Sequence, residues 1–259
     1  MSDTVLVQRD ATIATVVLSN PEKLNALSFA MWIRLGEVMR ELEADDGVRC
    51  IVLRGAGVKA FAAGADIAEF ETVRTNARVA KDYGDKIEGT MRAVAECRHP
   101  TVAMIHGVCV GGGLEIASQC DLRICGASSR FGIPINKLGL VVGYGEMGAL
   151  IDLVGRATAL EILLEGRVFG AAEAKEKGLI NRVVADAEVE AEALAAAARI
   201  AAGAPLVARW HKKFARRLAD PRPLSEAERD EGYACFDSED YRIGFKAFLA
   251  KRKPQFKGK

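Results

Sequence analysis

Three consecutive glycines and a nearby glutamate are the residues of this chain whose types and spacing best suit chemistry. Gly111, Gly112 and Gly113 come just before Glu115. Glycines let a backbone approach another group closely and present free N–H groups to it. Two kinds of chemistry fit: the glycines could hold a phosphate, or donate a hydrogen bond to a developing oxyanion beside Glu115 acting as acid or base. A third interpretation is purely structural, since glycines also allow close packing of a helix on a strand.

The segments on either side of these glycines predict how the glycines are held. Thr101–Ile105 is an apolar run that predicts a buried strand, and residues 114–119 predict the first turns of a helix. Glu115 would then stand near the positive end of the helix dipole. The pattern of strand, strand and helix recurs several times between Val5 and Val184 without a strict sequence period. This recurrence predicts an α/β fold with helices packed on sheets.

Four local patterns give more specific expectations. Ser28 is predicted to cap a helix that ends before Asp45, and a longer, more polar helix is predicted over Ala77–Glu96. Residues 130–134 contain glycine and proline and predict a loop. Gly143 is predicted to open a helix that extends through Leu153.

The character of the sequence changes after Val189. Residues 193–202 are rich in alanine and predict a helix, and residues 206–218 predict a second helix with an apolar stripe. Ser225 is predicted to cap a third helix in a capping box, and Asp237 to cap a fourth. Aromatic residues at helical spacing in this region indicate either an oligomer surface or an ordinary helical core.

Composition limits the classes of protein to consider. The chain has 259 residues, half of them hydrophobic, which is enough for one large core or two modest ones. Its 36 basic and 35 acidic residues nearly cancel, so no nucleic-acid partner is expected. No stretch is as long as a membrane span, and residues 1–3 lack the basic start of a signal peptide. No membrane partner is therefore expected.

The cysteines and histidines show no spacing typical of a metal site. There is no CxxC pair, and the three histidines, at positions 99, 106 and 211, are not spaced as ligands. Five cysteines in or beside apolar runs are predicted to be buried free thiols: Cys50, Cys97, Cys109, Cys120 and Cys125. Free thiols suit a reducing compartment, so the predicted location is the cytoplasm.

Four stretches, taken in order, resemble a known family. They are residues 20–27 (NPEKLNAL), 60–67 (AFAAGADI), 106–121 (HGVCVGGGLEIASQCD) and 131–134 (FGIP). Their order and spacing resemble the enoyl-CoA hydratase/isomerase (crotonase) family over nearly the whole chain. A glycine triplet alone would be weak support for this family, but all four stretches in order are specific to it.

The resemblance implies an architecture and a substrate. The expected fold is a spiral of ββα units carrying the acyl-CoA site, assigned to residues 1–195, followed by a helical trimerisation region in residues 196–259. The expected assembly is a homotrimer, or a hexamer made of two trimers. The expected substrate is an acyl-CoA held by its thioester, and no cofactor other than this coenzyme A is implied.

The resemblance also implies roles for individual residues. In the family, two backbone N–H groups polarise the thioester carbonyl, and Ala65 and Gly112 match their positions. Chemistry beside a thioester passes through an enolate, whose negative oxygen needs such donors. Glu115 matches one of the two glutamates that hydratases of the family use. The residues expected to contact coenzyme A are Lys23, Leu24, Ala26, Ala63, Asp66, Ile67 and Lys251.

One position departs from the pattern of the family. The second glutamate of the hydratases would follow the proline of residues 131–134, where this chain has Ile135. Related isomerases keep a carboxylate there or about eight residues later, where this chain has Gly143. Adding water to a double bond needs one group to activate the water and another to protonate the α-carbon, and isoleucine can do neither.

Three ways to compensate for Ile135 stay open. Glu146 or Tyr144 could enter the pocket as the second acid or base, although Glu146 could equally serve only the helix dipole. Glu115 could act alone in one proton relay. The chain could also isomerise, decarboxylate or cleave another acyl-CoA, or only bind one. The leading interpretation is an enoyl-CoA hydratase that adds water to a 2-enoyl-CoA, with these other reactions as alternatives.

Overall fold

The strands of the chain alternate between two sheets in the computed structural model. The structure describes residues 4–259, and residues 1–3, to which the signal-peptide expectation refers, lie outside that part. The strands of the described residues are β1 (Thr4–Asp10), β2 (Ile13–Ser19), β3 (Cys50–Gly55), β4 (Ala60–Ala62), β5 (Thr101–Ile105), β6 (Val108–Val110), β7 (Leu122–Gly126), β8 (Arg130–Gly132), β9 (Phe169–Gly170) and β10 (Arg182–Val184).

Helices follow the strands and dominate the end of the chain. The α-helices are α1 (Phe29–Ala44), α2 (Phe70–Val73), α3 (Ala77–Glu96), α4 (Gly112–Gln119), α5 (Tyr144–Glu165), α6 (Ala171–Glu176), α7 (Val189–Ala201), α8 (Pro205–Arg217), α9 (Glu226–Glu231) and α10 (Glu239–Leu249). Short 3-10 helices lie at Pro21–Lys23, Ile67–Glu69, Pro134–Leu138, Asp186–Glu188 and Ala234–Asp237.

The connections between these elements form a spiral. One sheet has the order β1-β2-β3-β5-β7-β10 and the other the order β4-β6-β8-β9. The chain passes from the first sheet to the second and then into helices in three successive turns, through β3 and β4, β5 and β6, and β7 and β8. All pairs are parallel except β1 with β2 and β8 with β9. The α/β spiral of ββα units is thus confirmed.

The central strands are buried on both faces, which explains their continuous apolar sequences. In β3, Ile51 and Leu53 face the main core, whereas Cys50 and Val52 face a second core beneath α7. This alternation has the period of two that strand geometry requires. Because helices cover both faces, no polar position interrupts the run, and the strand could be predicted from composition alone.

Two of the predicted helices agree with the structure at their ends. The Ser28 hydroxyl accepts a hydrogen bond from the N–H of Met31, and α1 ends at Ala44. Helix α3 covers the predicted residues, and the Asn76 side chain accepts from the N–H groups of Arg78 and Val79 at its start. These caps satisfy N–H groups that have no partner within the helix.

Two local expectations were wrong, and a third was confirmed only as far as it went. Residues 130–134 were expected to be a loop, but β8 lies there, because Phe131 is buried and pairs with β6 on one side and β9 on the other. Ser238, not Asp237, caps α10, since its hydroxyl accepts from the N–H of Tyr241. The helix predicted from Gly143 through Leu153 is confirmed: α5 begins after Gly143, is interrupted at Gly155 by non-helical angles (φ 76°, ψ 159°), and a second helical stretch continues to Glu165.

The end of the chain carries its aromatic residues on the outside. The capping box at Ser225 is present at the start of α9. The predicted division between residues 195 and 196 falls inside α7, which packs on the first sheet from Val189 to Ala201. Beyond α7, several large apolar side chains are more than two-fifths exposed: Leu218, Tyr233, Phe236, Tyr241, Phe245, Phe248 and Leu249. Within residues 4–259 these side chains therefore do not form an ordinary buried core.

Candidate active site

A cavity of about 830 Å³ lies beside the start of α4. Its wall combines the turn after β4, the first turn of α4, one face of α3 and the segment that leads into α5. This volume is in the range typical of small-molecule sites. The site residues predicted from the sequence that line it are Ala63, Ala65, Ile67, Gly112, Glu115, Tyr144 and Glu146.

The three glycines before Glu115 have three different structural roles. Gly111 has a φ of 51°, a conformation that favours glycine. A side chain on Gly113 would begin 2.3 Å from the carbonyl oxygen of Ala62, so this glycine allows α4 to pack on β4. A side chain on Gly112 would begin 2.8 Å from the Trp32 ring, at the cavity wall. The packing interpretation therefore holds for Gly113, and Gly112 belongs to the site.

Two backbone N–H groups, those of Ala65 and Gly112, lie close together at the cavity. The Ala65 nitrogen is 3.7 Å from the position that a Cβ on Gly112 would take. Within residues 4–259, neither group donates a hydrogen bond to the protein. Their neighbours are fixed: the Asp66 N–H donates to the Leu27 carbonyl at 2.8 Å, and the Gly111 N–H donates to the Gly132 carbonyl at 2.9 Å. The arrangement provides two immobile donors with free hydrogen-bonding capacity.

Glu115 stands in the first turn of α4 and contributes its carboxyl group to the same cavity. Burial and, to a smaller extent, the charge of Glu146 raise the pKa of Glu115 to about 7, against the opposing charge of Arg74. A helix N-terminus favours an anion, but loss of hydration outweighs that effect here. At neutral pH the group is therefore present in both protonation states, as suits an acid–base residue.

Glu146 is positioned by the start of α5. Gly143 directly precedes this helix. A Cβ atom at position 143 would lie 2.5 Å from a carboxylate oxygen of Glu146, so the Glu146 carboxylate occupies the space that a side chain at position 143 would need. A carboxylate therefore occupies the surroundings of position 143, where the resemblance to isomerases implied one. Tyr144, by contrast, is 98% exposed at the rim of the cavity. Ile135 lines the wall and packs against the main core.

Of the seven residues expected to contact coenzyme A, Ala63 and Ile67 line the cavity and the other five lie outside its wall. Lys23 pairs with Asp66 at 2.5 Å, and this hydrogen bond lowers the pKa of Asp66. The Asp66 side chain also accepts from the Ala68 N–H, as expected for a cap. The carbonyl of Leu24 accepts from the Ala63 N–H, which joins the two segments.

Ala26 is almost buried, and its carbonyl accepts a hydrogen bond from the side chain of Asn20. Lys251 follows α10 and is exposed. Lys23, Leu24, Ala26, Asp66 and Lys251 do not line the cavity.

Several residues of the cavity wall were missed from the sequence, among them Trp32 and Arg74. Trp32 lies on α1 and reaches Gly112, and Arg74 lies between α2 and α3. Trp32 belongs to an apolar helix stripe that gives no sign of a site. Arg74 follows Phe70 by four residues, the spacing of neighbours on a helix, which is a weak signal for their stacking.

Neither the cysteines nor any cluster of metal-ligating side chains in residues 4–259 adds a second candidate site. All six cysteines are free, and the five predicted to be buried are buried. Residues 4–259 contain no group of three or more His, Cys, Asp or Glu side chains that could hold a metal ion. In that part of the chain no single helix has the length and apolarity to cross a membrane, although the pair Asp186–Ala201 and Pro205–Arg217, bent by 103°, meets those criteria together.

Comparisons with known proteins agree with this fold. A model of the enoyl-CoA hydratase/isomerase family matches residues 8–259. The chain is 33% identical to the short-chain-enoyl-CoA hydratase of Clostridium acetobutylicum, over 96% of this chain and 95% of that protein. It is 30% identical to the crotonyl-CoA hydratase of Syntrophomonas wolfei, over 98% of both.

A solved structure gives the same result. The enoyl-CoA hydratase/carnithine racemase of Magnetospirillum magneticum superimposes with a TM-score of 0.98 at 49% identity, over 100% of this chain and 97% of that one. The sheets, the spiral and the cavity thus define a crotonase-type protein. The chain belongs to the enoyl-CoA hydratase/isomerase family.

Proposed function

We propose that this protein is an enoyl-CoA hydratase, which adds water across the double bond of a 2-enoyl-CoA. The observation that carries the proposal is the grouping, in one cavity, of two free backbone N–H groups with the carboxyl groups of Glu115 and Glu146. The relatives named as hydratases support the same reaction.

The N–H groups of Ala65 and Gly112 form the oxyanion hole in this proposal. The thioester carbonyl of the substrate accepts a hydrogen bond from each. When the enolate forms, its negative oxygen is stabilised by donors that are already in place and need little reorganisation. Gly112 has no side chain, so nothing at this position obstructs the thioester.

The two carboxyl groups divide the proton transfers. Hydration needs a base that accepts a proton from water as the water attacks the β-carbon, and an acid that delivers a proton to the α-carbon. Glu115, with a pKa of about 7, is available in either form. Glu146 supplies the second group, in place of the glutamate that Ile135 replaces. Its partial burial in the wall favours it over the exposed Tyr144 for this role.

The nucleotide part of coenzyme A is assigned to the border formed by Lys23, Leu24, Ala26, Ala63, Asp66 and Ile67, with Lys251 as a further candidate. In this assignment Asp66 acts through its backbone, since Lys23 and its own capping bond occupy its carboxylate. The reaction uses water, carboxyl groups and backbone donors, so we expect no cofactor apart from the coenzyme A of the substrate. Treatment with EDTA should leave turnover unchanged.

The assembly and location belong to the same proposal. The exposed aromatic residues of α10 and the segment before it, such as Phe245 and Phe248, suit contacts between subunits of a homotrimer or of a hexamer of two trimers. Light scattering should then give about three or six times the 27.8 kDa of one chain. A monomer at micromolar concentration would overturn this assignment.

The free thiols support a cytoplasmic location, which fractionation of the source cells would test.

The activity is tested with crotonyl-CoA. Purified protein should remove the absorbance of the enoyl thioester and produce 3-hydroxybutyryl-CoA, identified by mass.

A second candidate, isomerisation, is favoured by Ile135, because moving a double bond needs only one carboxyl group to carry the proton. Conversion of 3-butenoyl-CoA into crotonyl-CoA without hydration would support isomerisation and refute the hydratase proposal.

A further inference from the structure

Arg74 is a cation set in the wall of the cavity between two aromatic rings. Its guanidinium carbon lies 4.3 Å from the centre of the Phe70 ring and 4.8 Å from that of Tyr83. Its Nε is buried and has no hydrogen-bond partner in the described chain. The rings hold the planar group in one orientation and remove water from part of its surface.

No carboxylate of residues 4–259 forms an ion pair with Arg74. Its polar neighbour is the hydroxyl of Tyr83, which is neutral: burial raises the pKa of Tyr83, against the charge and hydrogen bond of Arg74. Three other charged side chains of the wall have ion-pair partners: Lys81 and Asp85 pair with each other at 2.5 Å, and Glu88 pairs with Arg92 at 2.8 Å. Arg74 therefore retains a free positive charge and free N–H groups.

Such a group is unfavourable beside a purely aliphatic ligand. A bound alkyl chain would remove water from the guanidinium and give no hydrogen bond in return, which carries a desolvation cost. A carboxylate would instead accept up to two parallel hydrogen bonds from the guanidinium fork. Arg74 lines the same cavity as Glu115, whereas most of the residues assigned to the nucleotide lie outside its wall, so Arg74 faces the acyl part of the substrate.

We propose that Arg74 binds a carboxylate at the far end of the acyl group, so that the preferred substrates are coenzyme A monothioesters of unsaturated dicarboxylic acids. This inference rests on the proposed function and specifies its substrate class. Phe70 and Tyr83 position the guanidinium, and their rings line the path of the acyl chain. The product is then a hydroxylated dicarboxylic acid monothioester, suited to a following oxidation of the new hydroxyl group.

The first test measures binding without turnover. Dissociation constants are compared for saturated ligands of equal carbon number, glutaryl-CoA against pentanoyl-CoA and adipyl-CoA against hexanoyl-CoA. At least one dicarboxylic ligand should bind about 30-fold more tightly or better, the effect expected of a desolvated charge pair. Arg74→Met should abolish that preference. This result does not depend on hydratase activity, so it separates failure of the inference from failure of the proposed function.

The second test uses turnover. The ratio of kcat/KM for glutaconyl-CoA to that for crotonyl-CoA should fall by about 30-fold or more in Arg74→Met. Removing Arg74 also removes a charge that lowers the pKa of Glu115, but that effect shifts the pH profiles of both substrates equally and cancels in the ratio. Arg78→Met is the matched control, since Arg78 is exposed on α3 and does not line the cavity.

The outcomes are distinct. The inference is overturned if no dicarboxylic ligand binds more tightly than its alkyl counterpart, or if the preference survives in Arg74→Met. A change in pH profile with an unchanged substrate ratio would mean that Arg74 acts only through Glu115, which also refutes it. Loss of the preference in Arg78→Met would refute it as well, because a general charge effect would then explain the result.

Discussion

Replacing Glu115 by glutamine should abolish most activity and, at the same time, stabilise the protein. The carboxyl group is in the cavity with the two free N–H groups of Ala65 and Gly112. General acid–base steps contribute about 10²- to 10⁴-fold to turnover, so kcat on crotonyl-CoA should fall by at least about 100-fold. Affinity for coenzyme A should hardly change, because glutamine has nearly the same shape and the residues we assign to the nucleotide do not include Glu115.

The stability effect follows from the pKa of Glu115, which burial raises from 4.5 to about 7. Below about pH 4.5 the Glu115 carboxyl group is protonated in both the folded and the unfolded chain, so its burial does not lower the free energy of unfolding. As the pH rises towards 7, the unfolded chain loses this proton first, so folding becomes less favourable. Each pKa unit is worth 1.36 kcal/mol, so the cost reaches roughly 3 kcal/mol above about pH 7. Glu115→Gln removes this cost.

Chemical unfolding at fixed protein concentration measures the effect. The free energy of unfolding of Glu115→Gln, relative to wild type, should be about 3 kcal/mol higher near pH 8.5 than near pH 4. Glu71→Gln is the control, since Glu71 is exposed on α2 and outside the cavity wall. A difference that does not depend on pH would refute the argument about burial. Undiminished hydration by Glu115→Gln would refute the catalytic role.

Three further substitutions test the neighbours of Glu115. In Glu146→Gln, loss of a like charge should lower the pKa of Glu115, so the midpoint of the residual pH–rate profile should move to lower pH; an unmoved midpoint would separate the two groups. Gly112→Ala would place a methyl group 2.8 Å from the Trp32 ring, and kcat/KM should fall at least about tenfold, whereas wild-type kinetics would refute the oxyanion assignment. Gly89→Ala in α3 meets nothing within 4 Å and should raise the free energy of unfolding by about 0.5–1 kcal/mol in chemical denaturation, and a decrease would contradict this.

Much of the fold could be predicted from the sequence because its signals are local. The strand Thr101–Ile105 is a continuous apolar run, and the cap of α1 by Ser28 depends on residues three positions apart. Helix α3 was bounded correctly because Asn76 caps its start and Pro100 follows its end. Such features need no knowledge of distant segments.

One prediction failed because a distant partner decides the structure, and another because an adjacent turn does. The three residues of β8 contain arginine, phenylalanine and glycine, and only pairing with β6 and β9 makes them a strand. Asp237 and Ser238 are both good caps, and the 3-10 helix that ends at Asp237 leaves the role to Ser238.

For the candidate site, too, some features could be predicted from the sequence and others depended on the tertiary structure. The sequence by itself determined the family, the glycine turn and the single acidic residue, Glu115, on α4, because these lie in continuous stretches. Only the tertiary structure decided that Glu146 on α5 lines the same cavity as Glu115 on α4, and that Arg74 lies between two rings without a carboxylate partner among residues 4–259. Burial, pKa and ion pairing depend on every group packed around a side chain, and those groups come from helices far apart in the chain.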